Sequence, residues 1–297
     1  MKIRIYGEPS DNTVWPPAYL PAIKRGLIEL GHELVDDVKL ADVLYCNDPN
    51  GEYQISHDTI DFNKPSVLNI LDIPTYLSEF HLNRVLGNLN WRIEQVNAVT
   101  SISKTVQSQI KEIFGVDSTV VYQPTKPITR LNLEKKESGV KFLYVGRAHS
   151  PNKRFDLVKN LIQKYYEEGQ LLIIGSENPC FGTYVGMVND VTLNNYYNLC
   201  DYVLLPSSFE GIGLTSIEAI LAGKYPILSN DCAAAIEFLP EFACDPNPAA
   251  MFEKIQEIEN NKSHYDWLVR QYDRKYREQF NYKSVAQNIV NVLESVI

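Results

Sequence analysis

The 297-residue chain lacks any apolar run long enough to span a bilayer, any Cys-x-x-Cys or Cys/His ligand spacing, any Asp-x-Asp pair and any excess of basic residues. Each absence removes a class of function. A membrane-spanning helix needs roughly 18 consecutive apolar residues, so membrane contact is expected to be peripheral at most. The five cysteines, Cys46, Cys180, Cys200, Cys232 and Cys244, are scattered and odd in number. They argue against a disulfide framework or a zinc site and read as reduced packing residues of a cytoplasmic protein. The opening Met1–Gly7 alternates like a strand and lacks the apolar core of a signal peptide. Thirty-seven acids against 28 bases give a formal charge of −9, and residues 1–134 hold 12 bases against 17 acids. Duplex recognition needs a basic footprint, so no strong nucleic-acid partner is expected. Without Asp-x-Asp, a divalent clamp built on that pair has no obvious ligands.

What is present is an ordinary globular composition, 44% hydrophobic and 22% charged, long enough for two domains. Short apolar runs alternate with amphipathic helical runs throughout, the pattern of parallel α/β layers. Strands are expected near 2–6, 42–46, 66–71, 98–102 and 119–122, then near 141–145, 171–174, 184–188, 202–205 and 225–229. Two sheets follow from that spacing. Residues 123–139 are polar, hold two prolines and show no periodicity, as a linker does. The expected domains are therefore 1–134 and 135–280. Residues 281–297 carry apolar positions 282, 285, 286, 289, 290 and 293, a helical stripe that could cap its own domain or cross to the other.

The densest chemistry lies in residues 206–226, Pro-Ser-Ser-Phe-Glu-Gly-Ile-Gly-Leu-Thr-Ser-Ile-Glu-Ala-Ile-Leu-Ala-Gly-Lys-Tyr-Pro. An apolar strand, Tyr202–Leu205, runs into a glycine turn and then a helix starting near Gly213. The free N–H groups and the dipole at such a helix start favour an anion. Gly211 and Gly213 let a diphosphate approach the backbone. Helical side chains lean toward the N-terminus, so Glu218 points back to the mouth that Glu210 flanks. Two carboxylates would repel a diphosphate, and they are better read as acceptors for sugar and ribose hydroxyls beside it.

This stretch resembles the donor-site signature of the retaining glycosyltransferases of family 4, which have the GT-B fold: two Rossmann-like α/β domains whose parallel sheets face a cleft. Glu210 and Glu218 match its Glu-x7-Glu pair, and Phe209, Gly211, Gly213, Leu214, Ala219, Gly223 and Pro226 fall in place around them. The resemblance implies an N-terminal acceptor domain, a C-terminal donor domain with Phe209, Gly211, Ile212, Gly213, Leu214 and Glu218 at the donor, and a last helix crossing back to the first domain. It implies a nucleoside-diphosphate sugar, UDP- or GDP-linked, as substrate, with no cofactor and no metal. Glu210 would hold the transferred sugar and Glu218 the ribose.

Phe142–Val145 followed by Gly146 and Arg147 is a strand ending in Gly-Arg, and Ser150-Pro151-Asn152-Lys153-Arg154 reads as an N-cap and helix start. In the family a Gly-Arg and a following Lys meet the donor phosphates. Gly146, Arg147 and Lys153 match, with one extra residue of spacing that leaves Lys153 and Arg154 as alternatives. Tyr184–Val188 resembles the strand and turn lining the nucleobase, which would place Gly186 and Val188 there, although a plain strand reads equally well. The N-terminal half departs from the family. Its first loop holds Trp15, which could stack on an acceptor or cover the core, and the strand tip where many members carry a histidine that meets the transferred sugar ends in Asp72, which either takes over that catalytic contact or marks a donor other than the common hexoses. The acceptor stays open among a saccharide, a lipid-linked sugar, a protein and a modified nucleobase. Two other readings remain: a catalytically silent sugar-nucleotide-binding module, and an NAD-dependent oxidoreductase with Asp231 as the ribose acid.

Overall fold

A computed structural model of the chain describes residues 1–7, 19–47, 63–131 and 139–297. These fall into two compact units, Met1–Pro124 together with Gln279–Ile297, and Thr125–Glu278. The first stretch runs β1 (Lys2–Tyr6), α1 (Leu20–Glu29), β2 (Glu33–Leu34), β3 (Val43–Asn47), β4 (Ser66–Ile70), α2 (Glu79–Gln95), β5 (Ala98–Ser101), α3 (Lys104–Phe114) and β6 (Thr119–Val120). The second runs β7 (Phe142–Val145), α4 (Phe155–Tyr165), β8 (Leu171–Ile174), β9 (Thr183–Gly186), α5 (Asp190–Leu199), β10 (Tyr202–Leu205), α6 (Leu214–Leu221), β11 (Tyr225–Ser229), α7 (Ala233–Phe238), β12 (Ala243–Cys244), α8 (Pro248–Asn260) and α9 (Lys262–Gln279). The chain closes with α10 (Tyr282–Glu294).

Both sheets are six-stranded and parallel, with orders β2-β1-β3-β4-β5-β6 and β12-β11-β10-β7-β8-β9. Helices on both faces leave no polar side to a central strand, which explains why Val43–Asn47, Ser66–Ile70 and Tyr225–Ser229 are buried at every position. The expected strands are all present, and two short edge strands, β2 and β12, join them. Helix α1 stops at Glu29, because Gly31 takes φ 85° and the His32 and Gly31 amides bond Leu27 and Ile28 in a Schellman closure. That closure turns the chain so that Lys2 and Ile3 pair with Glu33 and Leu34.

Helix α10 packs on α1 within the first unit. Val285, Ala286, Ile289, Val290, Val292 and Leu293 enter one core with Ile3, Ile5, Leu20, Ile23, Leu27, Val43, Tyr45 and Val67. Gly26 lets the two helices close, since a Cβ there would lie 2.6 Å from the Ala286 Cβ and 2.9 Å from the Tyr282 carbonyl oxygen. In the second unit, residues 125–131 have no regular structure but are tied down. The Thr129 and Leu131 amides donate to the Asn194 and Asn198 side chains, at 2.9 and 2.8 Å.

Candidate active site

In the second sheet β7 pairs with β8 on one side and β10 on the other, so chain order reverses at β7/β10. Open parallel sheets bind ligands beyond the carboxyl ends of the strands at such a switch point. The two segments leaving that edge are residues 146–154, after β7, and 206–213, after β10. They carry Gly146, Arg147 and Lys153 on one side and Phe209, Glu210, Gly211, Ile212 and Gly213 on the other.

Backbone packing shapes the floor. The Gly146 amide donates to the Ile174 carbonyl at the end of β8, 2.9 Å away. The next residue of that strand end is Gly175, where a Cβ would lie 2.1 Å from the Gly146 carbonyl oxygen. Arg147 follows and is exposed, its carbonyl accepting from the Ser150 amide at 3.2 Å.

The segment 150–154 is not the simple helix start that Ser-Pro suggests. Pro151–Lys153 form one 3-10 turn, Arg154 takes the left-handed conformation at φ 47°, and α4 begins only at Phe155. Left-handed backbone is unfavourable by about 1–2 kcal/mol for a residue with a Cβ. Arg154 is held there by Asp231, which accepts two hydrogen bonds from its guanidinium at 3.0 and 2.7 Å. Burial pushes the Asp231 carboxyl up, but the bonds from Arg154 and Ser229 outweigh it and hold its pKa below the ordinary value. The left-handed kink separates the two cations. Lys153 turns to Glu210, its Nζ 2.5 Å from Oε1 with both side chains largely buried, while Arg154 is paired with Asp231.

Gly213 caps α6 at φ 74°, a conformation suited to glycine. Ser216 Oγ donates to the Gly213 carbonyl at 2.7 Å. At the far end Gly223, φ 77°, closes the helix through amides of Gly223 and Lys224 bonded to Ile220 and Ala219. The two glutamates of the motif have different surroundings. Glu210 is half-buried at the turn; Glu218 is buried, 5% exposed, with Oε2 accepting from the Tyr197 hydroxyl at 2.7 Å. Burial pushes the Glu218 carboxyl above its ordinary pKa, against the Tyr197 bond and the charge of Lys126.

Gly186 closes β9 at φ 85°, its carbonyl accepting from the Gly175 amide at 3.3 Å, and Val188 is half-buried just beyond. Gly186 therefore ends the strand beside the Gly146–Gly175 floor, and Val188 follows it outside the strand. Asp72 follows β4 in the first unit and is half-buried. Trp15 lies outside the described residues.

Two residues at the site escaped sequence reasoning. Asn152 and Tyr197 act through partners 57 and 21 positions away, a contact that no local pattern carries. Cys232 is buried near Glu210, Lys153 and Asp231, and burial pushes its thiol up to about 12. A thiol so far from its thiolate is a packing group and not a nucleophile. Among the described residues, no group of His, Cys, Asp and Glu is arranged to hold a metal ion, and no helix is long and apolar enough to cross a membrane.

Residues 139–261 match the family model of the glycosyl transferases group 1. The uncharacterized glycosyltransferase MJ1607 of Methanocaldococcus jannaschii is 22% identical over 231 residues, which are 65% of this chain and 59% of that protein. The chain thus matches less than two thirds of that relative's length. Among solved structures, sucrose-phosphate synthase from Thermosynechococcus elongatus aligns with a TM-score of 0.71 at 17% identity, over 96% of this chain and 81% of its own. HepE of Anabaena, in complex with UDP and glucose, aligns with a TM-score of 0.68 at 15% identity, over 99% and 100%. Two six-stranded parallel sheets, a glycine-capped turn at the switch point of the second sheet and these likenesses agree: residues 139–261 are a group 1 glycosyl transferase domain and the chain has the GT-B fold.

Proposed function

We propose that the chain is a retaining glycosyltransferase that moves a sugar from a nucleoside-diphosphate donor, UDP- or GDP-linked, to an acceptor hydroxyl without a metal. The observation that carries this reading is the convergence, at one switch point, of Lys153 with Glu210 and the Gly211–Gly213 turn that opens α6. An ammonium has three donors, so Lys153 can keep Glu210 and still offer hydrogen bonds to phosphate oxygens. With Arg147 and the α6 amides it would stabilise the charge that develops as the diphosphate leaves. Glu210 would accept from hydroxyls of the transferred sugar, and Glu218, oriented by Tyr197, from the ribose.

In the reaction the bond from the anomeric carbon to the β-phosphate oxygen breaks while the acceptor oxygen bonds the same face. The acceptor proton passes to the departing phosphate oxygen, and the anomeric configuration is kept. UDP is the first donor nucleotide to test, because HepE is described with UDP-glucose and TarM with UDP. The acceptor class stays with the saccharides, lipid-linked sugars, proteins and modified nucleobases. None of the five cysteines is in a disulfide, which supports a reducing, cytoplasmic setting.

The test is calorimetric titration with a panel of UDP- and GDP-sugars and with NADH, followed by assay of nucleotide release and of product anomer. Binding of a nucleotide sugar, release of the nucleoside diphosphate and unchanged activity in EDTA are expected. Binding of NADH in place of nucleotide sugars would sink the reading, and an inverted product anomer would sink its retaining step.

A further inference from the structure

We infer that Asn152 is a positioning residue that sets the Lys153 amine against Glu210 by tying their two loops together one residue upstream of each. It deepens the donor-site reading above and rests on it. Asn152 is 5% exposed, and each of its polar groups beyond the backbone amide has a partner. Its side-chain Nδ2 donates to the Phe209 carbonyl at 3.1 Å, and its carbonyl oxygen accepts from the Ser208 amide at 2.8 Å and the Ser208 hydroxyl at 3.4 Å. The remaining side-chain atom, Oδ1, accepts from Ser150 Oγ at 2.6 Å, which fixes the amide orientation so that Nδ2 faces Phe209.

Three of these four bonds cross from the loop after β7 to the loop after β10. They end at Ser208 and Phe209, directly before Glu210, and they start from the residue directly before Lys153. The Lys153 to Glu210 pair is therefore the fourth crossing link and the only ionic one of the set. Asparagine is required because the side chain must donate across the gap while accepting from its own turn; aspartate cannot donate and leucine can do neither. A lysine side chain has a flexible four-carbon stem, and left to itself the amine would scatter. The tie holds both backbones so that the amine needs only one rotamer to meet the carboxylate.

The experiment is a double-mutant cycle read at Lys153 itself, without any nucleotide. The full-length protein and its Asn152→Ala, Glu210→Gln and doubly substituted forms are acetylated with sulfo-N-hydroxysuccinimide acetate. Modification of Lys153 is then quantified by mass spectrometry against Lys283. Asn152→Ala removes the Nδ2 bond to Phe209 and leaves the two bonds to the Asn152 main-chain carbonyl; losing that side-chain link is expected to raise Lys153 acetylation roughly fivefold to tenfold, the effect of one buried hydrogen bond. In the Glu210→Gln background the further change from Asn152→Ala is expected to stay under about twofold, because both substitutions break the same arrangement. In a parallel titration the Asn152→Ala protein is expected to bind UDP roughly fivefold to tenfold more weakly. Should Asn152→Ala fail to fold, Asn152→Ser takes its place in both arms. Unchanged Lys153 acetylation, or a full effect persisting in the Glu210→Gln background, would overturn the positioning role even with UDP binding intact. Absence of UDP binding by the unaltered protein would overturn the donor-site reading instead, and with it the purpose of the tie.

Discussion

Glu218 is buried, accepts from the Tyr197 hydroxyl and has a pKa raised by that burial. A group whose folded pKa lies above its unfolded value favours folding in its protonated form. Its contribution is complete below the unfolded pKa and is lost as pH rises through the folded one. At neutral pH the buried charge therefore weighs against stability. Glu218→Gln removes that charge and keeps an acceptor for Tyr197. The variant is expected to melt above the unaltered protein at pH 7.5, with the gap closing as pH falls toward 4.5, and to bind UDP more weakly. Thermal melts across that range check the sign, and a gap that widened in acid would refute it. Glu210 is different, because its removal also frees Lys153. Glu210→Ala is expected to lower kcat by roughly 10²–10³, the scale of losing one group that acts on transition-state charge, with a smaller change in donor KM. Steady-state kinetics distinguishes the two. At this scale the sequence offered Glu210 with the glycines before α6, and Lys153 or Arg154 from a separate segment, and the structure pairs Lys153 with Glu210 and Arg154 with Asp231. The sequence does not show burial or long-range partners. That is why the inequality of the two glutamates, the kink at Arg154 and the bond from Tyr197 emerge only in three dimensions.

At the scale of elements, the site depends on two strand ends touching. Gly146 and Gly175 approach so closely that a methyl group on Gly175 would overlap the Gly146 carbonyl oxygen. Gly175→Ala must then push the start of the Gly146–Arg147 turn off the sheet edge. A loss of about 1–3 kcal/mol in stability is expected from the overpacking, together with weaker UDP binding because Arg147 and the 150–154 turn move with that edge. Denaturant unfolding and calorimetry measure both, and a variant with unaltered stability would show that the strand ends are not locked. The elements themselves were readable wherever burial on both faces leaves a continuous apolar run, as in Val43–Cys46 or Tyr202–Leu205. β2 and β12 hold two residues each and, unlike the equally short β6 within Thr119-Val120-Val121-Tyr122, lie in no β-branched apolar run that would mark them. The start of α4 misled for a local reason: Ser-Pro does begin a helical turn, but only of 3-10 type, ended by Arg154.

At the scale of the whole molecule the chain leaves the first unit after Pro124, builds the second, and returns at Gln279. Tyr122, just before the departure, and Phe280, just after the return, lie in ring contact with centroids 5.4 Å apart. The return delivers α10, whose apolar stripe was legible in the sequence; periodicity left open what covers it, and the family resemblance pointed to the first domain, where it packs. Six side chains of α10 enter the core of the first unit. Burying a large apolar side chain contributes roughly 1.5–3 kcal/mol, so even four or five such residues rival the roughly 5–15 kcal/mol by which a domain is stable. A chain ending at Phe280 is therefore expected to lose the first unit while keeping the second. Hydrogen exchange reads this directly: amides of β1, β3 and β4 should lose protection and those of β7, β10 and β11 should retain it. Gly26→Ala tests the same seam gently. Its added methyl meets Ala286 and the Tyr282 carbonyl, and a helix-favouring substitution should then destabilise by about 1–3 kcal/mol, because the helices must separate to admit it. If instead the truncated chain kept exchange protection in β1 and β3, the core would close without α10 and the final helix would be an ornament on a self-sufficient sheet.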